Sequence, residues 1–260
     1  MRTAVLLLVA SVPLLSQTQK QSFEVASVKR NTDRILTVSG VQPGPGGTLS
    51  AKATTLKDLI ISAYQIKQRE VFGGPAWIES ERYDIEAKAS EPVGWDSGLR
   101  PMLKTLLADR FQLRVHTESR EMPVYTLTVA KSGAKLKKLD EECTPGPDGH
   151  CGGYVTRIGQ ITGQKVSIAQ LADTLSAIMD RPVTDRTSLV GLYNDVKMEW
   201  VPDETQYNTW GVGAYKRLVS DPSGAGLFSA IQEQLGLKLD AAKGSVEVLV
   251  IDSATKPTEN

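Results

Sequence analysis

Acidic side chains are plentiful among the groups that could do chemistry in this 260-residue chain, which has 30 aspartates and glutamates, two histidines and two cysteines. Asp180, Asp185 and Asp195 lie near one another in the sequence. A pair of carboxylates can serve as acid and base in glycoside hydrolysis, but aspartates near turns usually cap the backbone. Nothing in the sequence selects one pair, so we predict no catalytic residue and keep a carboxylate-dependent hydrolase of extracellular or cell-wall carbohydrate as an alternative.

Other catalytic signatures are absent from the sequence. There is no His-Glu-x-x-His zinc helix, no Gly-x-Ser-x-Gly elbow, no phosphate-binding loop and no dinucleotide fingerprint. His116 alternates out of phase with Leu113 and Val115, so we expect it to face solvent from a strand. We therefore predict neither a metal site nor a cofactor.

The two cysteines enclose a short loop of turn-forming residues. Cys143 and Cys151 would pair in an oxidising compartment, and the resulting disulfide would staple a local turn. The alternative is a metal site that adds His150, but two thiolates and one imidazole make only a partial zinc set. We predict the disulfide.

Aromatic side chains give the sequence its binding candidates. They cluster in a Gly-Pro turn near residue 74 and in a long polar loop after residue 200. Tryptophan and tyrosine are frequent at recognition surfaces, although the same residues also build cores. The candidate binding residues are Phe72, Trp77, Tyr207, Trp210 and Tyr215.

The N-terminus indicates export. A basic start, an apolar run from Ala4 to Leu15 and an abrupt polar change at Ser16 are typical of a signal peptide, which we place at residues 1–16. The run is too short to span a bilayer, and no later segment is long enough, so we expect no integral membrane segment in the mature chain. The 30 basic and 30 acidic side chains cancel, which removes a general reason to bind nucleic acid. We expect a periplasmic or secreted protein.

Two stretches of the chain resemble each other. The segment Gly47–Leu59 is followed by the same order of apolar runs as Gly159–Leu171, and Leu103, Leu107 and Phe111 match Leu227, Ile231 and Leu235 at a constant offset. We predict an α+β fold with two similar modules, each a small mixed or antiparallel sheet with two packed helices in the order β-α-β-β-α-β-β. The predicted boundaries are 22–140 and 159–256, with a disulfide-containing linker at 141–158 and a tail at 257–260.

Local patterns place the elements within each module. Thr55 and Ser167 are predicted helix N-caps. The helix after Thr55 should bury the stripe Leu56, Leu59, Ile60 and Ala63. We predict that residues 111–117 and 124–130 form one hairpin, and that residues 237–239 and 246–251 form another.

Several motifs carry a family resemblance over essentially the whole mature chain. They are Phe23-Glu-Val-Ala-Ser-Val-Lys, Gly74-Pro-Ala-Trp-Ile, Tyr83-Asp-Ile-Glu-Ala, Leu106-Leu-Ala-Asp-Arg-Phe-Gln-Leu, Val124-Tyr-Thr-Leu and Glu233-Gln-Leu-Gly-Leu-Lys-Leu. The chain resembles a large family of exported soil-bacterial proteins of unknown function. The family's domain also occurs attached to membrane metallopeptidase sensors of the antibiotic-sensing type, which implies a sensing or interaction role in the envelope. The resemblance carries over no catalytic residue.

The second half also resembles the short N-terminal domain of secretins and TonB-dependent receptors. The likeness lies in a helix opening Val166-Ser-Ile-Ala-Gln-Leu and in Ala230-Ile-Gln-Glu-Gln-Leu-Gly-Leu before the last strands. That resemblance implies protein–protein contacts in the periplasm.

The predicted function is therefore that of an exported, non-catalytic binding module. Its role would be envelope sensing or contact with another protein, and its partner an envelope or extracellular protein. The alternatives are the carbohydrate hydrolase above and a small-ligand carrier with its pocket between the modules.

Overall fold

The computed structural model describes residues 21–33, 40–140, 143–144, 151–204, 206 and 224–258. The predicted signal peptide lies outside the described residues. The fold is mixed α and β, as predicted, and the chain divides into two compact units. Unit 1 comprises the chain up to Thr117 together with Leu249 onward, and unit 2 comprises Glu118–Val248. The module boundaries that we placed at 22–140 and 159–256 stay predictions.

Unit 1 contains an antiparallel sheet whose strand order is β1-β5-β3-β2. In chain order, the elements up to the first long strand are β1 (Val25–Asn31), β2 (Gly40–Gly44), β3 (Thr48–Thr55), α1 (Leu56–Tyr64), β4 (Val71–Gly73), β5 (Arg82–Lys88), α2 (Arg100–Arg110) and β6 (Arg114–Val129).

Unit 2 contains a three-stranded antiparallel sheet, β12-β9-β8. The elements that follow β6 are β7 (Lys137–Leu139), β8 (Gly153–Arg157), β9 (Gln160–Gln164), α3 (Ile168–Ile178), β10 (Val183–Asp185), β11 (Leu192–Asn194), β12 (Val196–Glu199), α4 (Leu227–Ala230), a π-helical turn (Ile231–Leu235) and β13 (Leu237–Ser253).

Helix α1 begins and buries its apolar stripe as the sequence predicts. The hydroxyl of Thr55 accepts a hydrogen bond from the backbone N–H of Asp58 at 3.1 Å and donates to the Asp58 carboxylate at 2.6 Å. This satisfies one of the N–H groups that a helix start leaves without a helical partner. The predicted stripe is buried in full: Leu56, Leu59, Ile60 and Ala63.

Helix α3 begins with a reciprocal cap. The backbone N–H of Gln170 donates to the Ser167 hydroxyl at 3.2 Å, and the backbone N–H of Ser167 donates to the Gln170 side-chain oxygen at 2.8 Å. Two N–H groups at the helix start are satisfied in this way. The predicted N-cap at Ser167 is confirmed.

Each unit has a residue with left-handed backbone shortly before the helix, Ala53 inside β3 and Lys165 directly after β9. Ala53 has a φ of 47° and Lys165 a φ of 52°. The backbone N–H of Ala53 donates to the Asp84 carboxylate at 2.8 Å, and that of Lys165 donates to the Asn194 side-chain oxygen at 3.0 Å. A residue bulged out of a strand loses its ladder partner, so a side-chain acceptor satisfies its amide instead.

The two predicted hairpins are wrong, because each pair of short strands is one long strand. Residues 114–129 form β6 and residues 237–253 form β13. Pro123 lies inside β6 without interrupting it. The parallel strand β10 pairs with β6 only from Tyr125 to Leu127, so Pro123 lies beyond the residues that pair with β10. Gly244 lies inside β13 at a position where a Cβ would come within 3.0 Å of a methyl group of Val124.

The long strands occupy the centre of a second four-stranded sheet, whose order is β10-β6-β13-β4. Tyr125 of β6 pairs in parallel with Val183 of β10, within unit 2. Leu249 of β13 pairs in parallel with Val71 of β4, within unit 1. Non-local pairing therefore replaces the local hairpins that the sequence indicated.

Each unit has its own apolar core. In unit 1, Tyr83 is fully buried, and its ring meets the ring of Phe111 edge-on with centroids 5.1 Å apart. In unit 2, Trp200 packs in the core and donates its indole N–H to the side-chain oxygen of Gln206 at 2.8 Å. The buried indole N–H is thereby satisfied, as a buried polar group requires.

Gly236 provides a test of the fold, because it ends the α4 segment with a φ of 64°. A Cβ there would overlap the carbonyl oxygen of Gly133. We expect Gly236→Ala to lower the free energy of unfolding by more than about 2 kcal/mol, since overlap adds to the cost of a left-handed backbone. Gly46 has a φ of 66° with open space around it, so Gly46→Ala should cost only about 1 kcal/mol. Urea denaturation measures both, and equal losses would contradict the described contact.

Candidate functional site

Unit 1 has an open groove of about 630 Å³ between strand β2 and helix α1. The strand contributes one wall, the helix and the segment after it contribute the other, and a tryptophan closes one side. The lining residues are Val41, Pro43, Ile61, Ser62, Gln65, Ile66, Lys67 and Trp95.

The hydrogen-bond register of β2 determines which backbone groups face this groove's open edge. β2 pairs antiparallel with β3, with Val41 opposite Ala51 and Pro43 opposite Leu49. Gly40 directs its N–H toward β3, where it donates to the Thr54 hydroxyl at 3.2 Å. Along an antiparallel strand, the backbone N–H and C=O groups of successive residues point alternately toward and away from the paired strand, and proline has no N–H. The N–H and C=O of Val41 and the C=O of Pro43 therefore point away from β3.

The groove is lined by both apolar and polar residues, and its large apolar side chains are only half-buried. Val41, Ile61, Ile66 and Trp95 pack against the core of unit 1 but keep part of their surface exposed. Lys67 is the charged residue of the lining, and it is exposed. Concave apolar surface with a few polar groups is the usual character of a recognition site.

Short polar contacts hold one wall of the groove in place. Gln65, which ends α1 with a φ of 53°, donates from its side-chain amide to the Asp96 carboxylate at 3.0 Å. Asp96 also pairs with Arg100 at 3.3 Å. These contacts connect the end of α1 to the π-helical turn Trp95–Leu99 and so position Trp95.

The corresponding space in unit 2 is filled. β8 pairs with β9, with Tyr154 opposite Gly163. The Tyr154 ring covers that glycine so closely that a Cβ there would lie 2.6 Å from a ring carbon. Burial raises the pKa of the Tyr154 phenol. Gln170 of α3 also donates to the backbone oxygen of Gly152 at 3.0 Å, which connects the start of β8 to the helix.

The predicted aromatic binding residues are partly described. Trp77 is half-buried, with its ring edge-on to Tyr83 at 6.4 Å and the ammonium group of Lys256 at 5.9 Å from its centroid. Phe72 is half-buried in β4, opposite Val250 of β13. These contacts leave their binding role a prediction. The other three candidates, Tyr207, Trp210 and Tyr215, lie outside the described residues.

Asp185, which the sequence offered for catalysis, caps the backbone, and so does Asp203. The Asp185 carboxylate accepts from the N–H and from the hydroxyl of Thr187, both at 2.8 Å. The Asp203 carboxylate accepts from the N–H of Gln206 at 3.0 Å. Both arrangements are the turn caps that aspartate commonly makes.

Asp195 serves a different structural role on the surface. It accepts a hydrogen bond from the Gln164 side-chain amide at 3.0 Å, and the ammonium group of Lys137 lies 3.6 Å away. The hydrogen bond from Gln164, together with Lys137, holds the pKa of the Asp195 carboxyl below its ordinary value. A depressed pKa suits a carboxylate that stays ionised, not a general acid.

Within the ranges that the structure describes, no cluster of three or more His, Cys, Asp or Glu side chains could hold a metal ion. His116 is half-exposed on β6, as predicted for a solvent-facing strand position, with Nδ1 2.7 Å from the Asp252 carboxylate. The predicted disulfide between Cys143 and Cys151 is present, with Cα atoms 5.9 Å apart. The joined sulfurs are not available as thiolate ligands.

The groove was not predicted from the sequence. Its residues come from β2, from the amphipathic helix α1 with the segment after it, and from the π-helical turn that begins at Trp95. The available signal was Pro43 beside Val41, because a proline inside a strand indicates a sheet edge. None of the helices in the described part of the chain is long and apolar enough to span a membrane.

Substitutions of Asp185 can distinguish a structural role of this carboxylate from a catalytic one. We expect Asp185→Ala to lower the free energy of unfolding by about 1 kcal/mol, because the buried Thr187 loses an acceptor for both donors. Asp185→Asn keeps a side-chain oxygen that can accept both bonds, so it should cost markedly less. Thermal and urea denaturation of both variants measure this. A catalytic carboxylate would instead show full stability in both variants and lost hydrolysis of a cell-wall polysaccharide.

Comparison with known proteins places the chain in a family without assigning its activity. One family model, described as protein of unknown function (DUF3738), matches residues 57–254. No curated protein matches the chain. No solved structure matches it either. The matched region contains α1 from its second residue onward and Trp95 of the groove, and β2 precedes it. The chain belongs to the DUF3738 family of proteins of unknown function.

Proposed function

We propose that this protein is an exported binding module that makes non-catalytic protein–protein contacts in the cell envelope or outside the cell. The observation that carries the proposal is the open groove between β2 and α1 in unit 1, where half-buried apolar side chains lie beside polar ones. An envelope-sensing role, in which the contact reports on a partner, belongs to the same proposal.

The chemistry of the groove favours recognition over hydrolysis. Its lining contains a tryptophan, two isoleucines, a valine and a proline, and none of its residues is a carboxylate, a histidine or a cysteine. A glycoside hydrolase needs two carboxylates that flank the scissile bond. A half-buried tryptophan beside aliphatic side chains is instead typical of the energetic centre of a protein interface.

Several observations support export. The Cys143–Cys151 disulfide fits an oxidising compartment. The N-terminal pattern of a basic start and an apolar run fits a cleaved signal peptide. We propose that the mature protein is periplasmic or secreted, and that its mass will correspond to a chain lacking about the first 16 residues.

We propose further that the chain is an internal duplication of one α+β module. The pairings Val41–Ala51 and Tyr154–Gly163 occupy matching places in their sheets, and the left-handed residues Ala53 and Lys165 occupy matching positions before their helices. In this scheme the first repeat's last strand, β6, runs on into unit 2, and the second repeat's last strand, β13, runs on into unit 1. The repeats differ at one matching position, because the Tyr154 ring lies over Gly163 in unit 2 whereas the groove beside Val41 in unit 1 is open.

Photo-cross-linking in the native envelope tests the proposed function. A photoreactive phenylalanine analogue in place of Ser62 lies in the groove, and we expect it to form a discrete adduct with an envelope or extracellular protein. The double variant Val41→Tyr with Ala51→Gly rebuilds the Tyr154–Gly163 pair of unit 2 in unit 1, fills the groove and should abolish the adduct.

Two controls sharpen this experiment. Ala51→Gly alone leaves the groove open and should keep the adduct. The same analogue at Val155, which is 55% exposed on β8, should not give that adduct. An adduct that survives the double variant, or no adduct from position 62, would overturn the proposed function.

A further inference from the structure

We infer that the groove captures an extended segment of a partner protein, which adds to β2 as a new antiparallel strand and carries alternating apolar side chains and one acidic side chain. This inference rests on the proposed binding function and names the chemistry of its partner.

The backbone of β2 supplies the first argument. Val41 presents both its N–H and its C=O outward, and Pro43 presents its C=O, since the pairing with β3 uses the groups of the intervening residues. Among the described residues, β2 is an edge strand of its sheet. An antiparallel segment can therefore exchange two hydrogen bonds with Val41 and donate one more to Pro43. Recognition by strand addition uses main-chain groups of this kind.

The side chains around β2 supply the second argument. Val41 and Pro43 lie on one face of the strand, and both line the groove. Alternate side chains of an added strand would fall on that same face, next to Ile61, Ile66 and Trp95. The groove thus selects apolar residues at every second position of the segment.

Charge supplies the third argument. Lys67 is the charged residue of the lining, and its side chain is exposed at the groove. An aspartate or glutamate of the incoming segment would complement this ammonium group, and a lysine there would be repelled. The segment is therefore both apolar and acidic.

In unit 2, the position beside the edge strand that matches the groove of unit 1 is occupied by an aromatic ring. Tyr154 occupies the position that matches Val41 and lies over Gly163, so its ring takes the volume that is empty in unit 1. The difference explains why one chain with two similar edges would bind one segment.

The test selects peptides against the full mature protein. A random library of 12-residue peptides displayed on phage is the probe, and the enriched sequence is then synthesised for measurement of its Kd by calorimetry. We expect alternating apolar residues with an Asp or Glu. Val41→Pro removes the outward N–H, leaves the ladder to β3 intact and should raise the Kd about tenfold. Lys67→Glu should raise the Kd of the acidic peptide and lower that of its lysine-substituted version.

Further measurements keep the inference falsifiable. The double variant Val41→Tyr with Ala51→Gly should abolish binding, while Ala51→Gly alone should not, and circular dichroism confirms that each variant is folded. N-methylation of the peptide at alternate residues should abolish binding only at the positions that donate to β2. Peptides that bind as helices or tolerate every N-methylation would overturn strand addition, yet the cross-link from position 62 would still support a binding groove.

Other outcomes also decide the inference. The inference is overturned if the library yields no peptide whose binding changes in the groove variants. It is also overturned if the protein self-associates and the double variant abolishes that self-association, because the groove is then occupied by a second copy of the chain. Loss of the position 62 cross-link is the separate result that overturns the proposed function itself.

Discussion

The register of β2 against β3 is the constraint on which the rest of this account depends. The N–H of Gly40 points toward β3 and donates to the Thr54 hydroxyl, and Pro43 has no N–H. The backbone groups that point away from β3 are therefore the N–H and C=O of Val41 and the C=O of Pro43. The same register turns the side chains of Val41 and Pro43 toward α1. A slip of one residue would move both to the other face of the sheet. One pairing therefore determines the polar edge and the apolar floor of the groove together.

The two units share a local framework and differ where recognition is proposed. In each, a left-handed residue shortly before the helix, Ala53 or Lys165, donates its backbone N–H to an Asp or Asn side chain. Such contacts fix how strand and helix meet. The space beside them is open next to Val41 and occupied by the Tyr154 ring in unit 2. The framework residues are thus alike in the two units, and the pairs Val41–Ala51 and Tyr154–Gly163 are where the units differ beside the helix.

The sequence predicted features that depend on neighbouring residues. The N-caps at Thr55 and Ser167 and the buried stripe of α1 follow from local hydrogen bonding and helical spacing. The hairpins failed because Pro123 and Gly244 look like turn residues, whereas non-local partners keep both inside long strands. The groove was missed for the same reason. Its walls are distant in sequence, and only the tertiary fold brings Trp95 beside β2.

Amide hydrogen exchange measured by NMR tests the central claim most directly, because it reads the individual N–H groups of β2. In the free protein, we expect the outward amide of Val41 to exchange much faster than the amide of Gln42, which faces β3. On addition of a selected acidic peptide, the Val41 amide should become as protected as its neighbour, with little change in the exchange of β8. A Val41 amide that is already protected in the free protein, or that stays unprotected when the peptide is bound, would contradict strand addition at this edge.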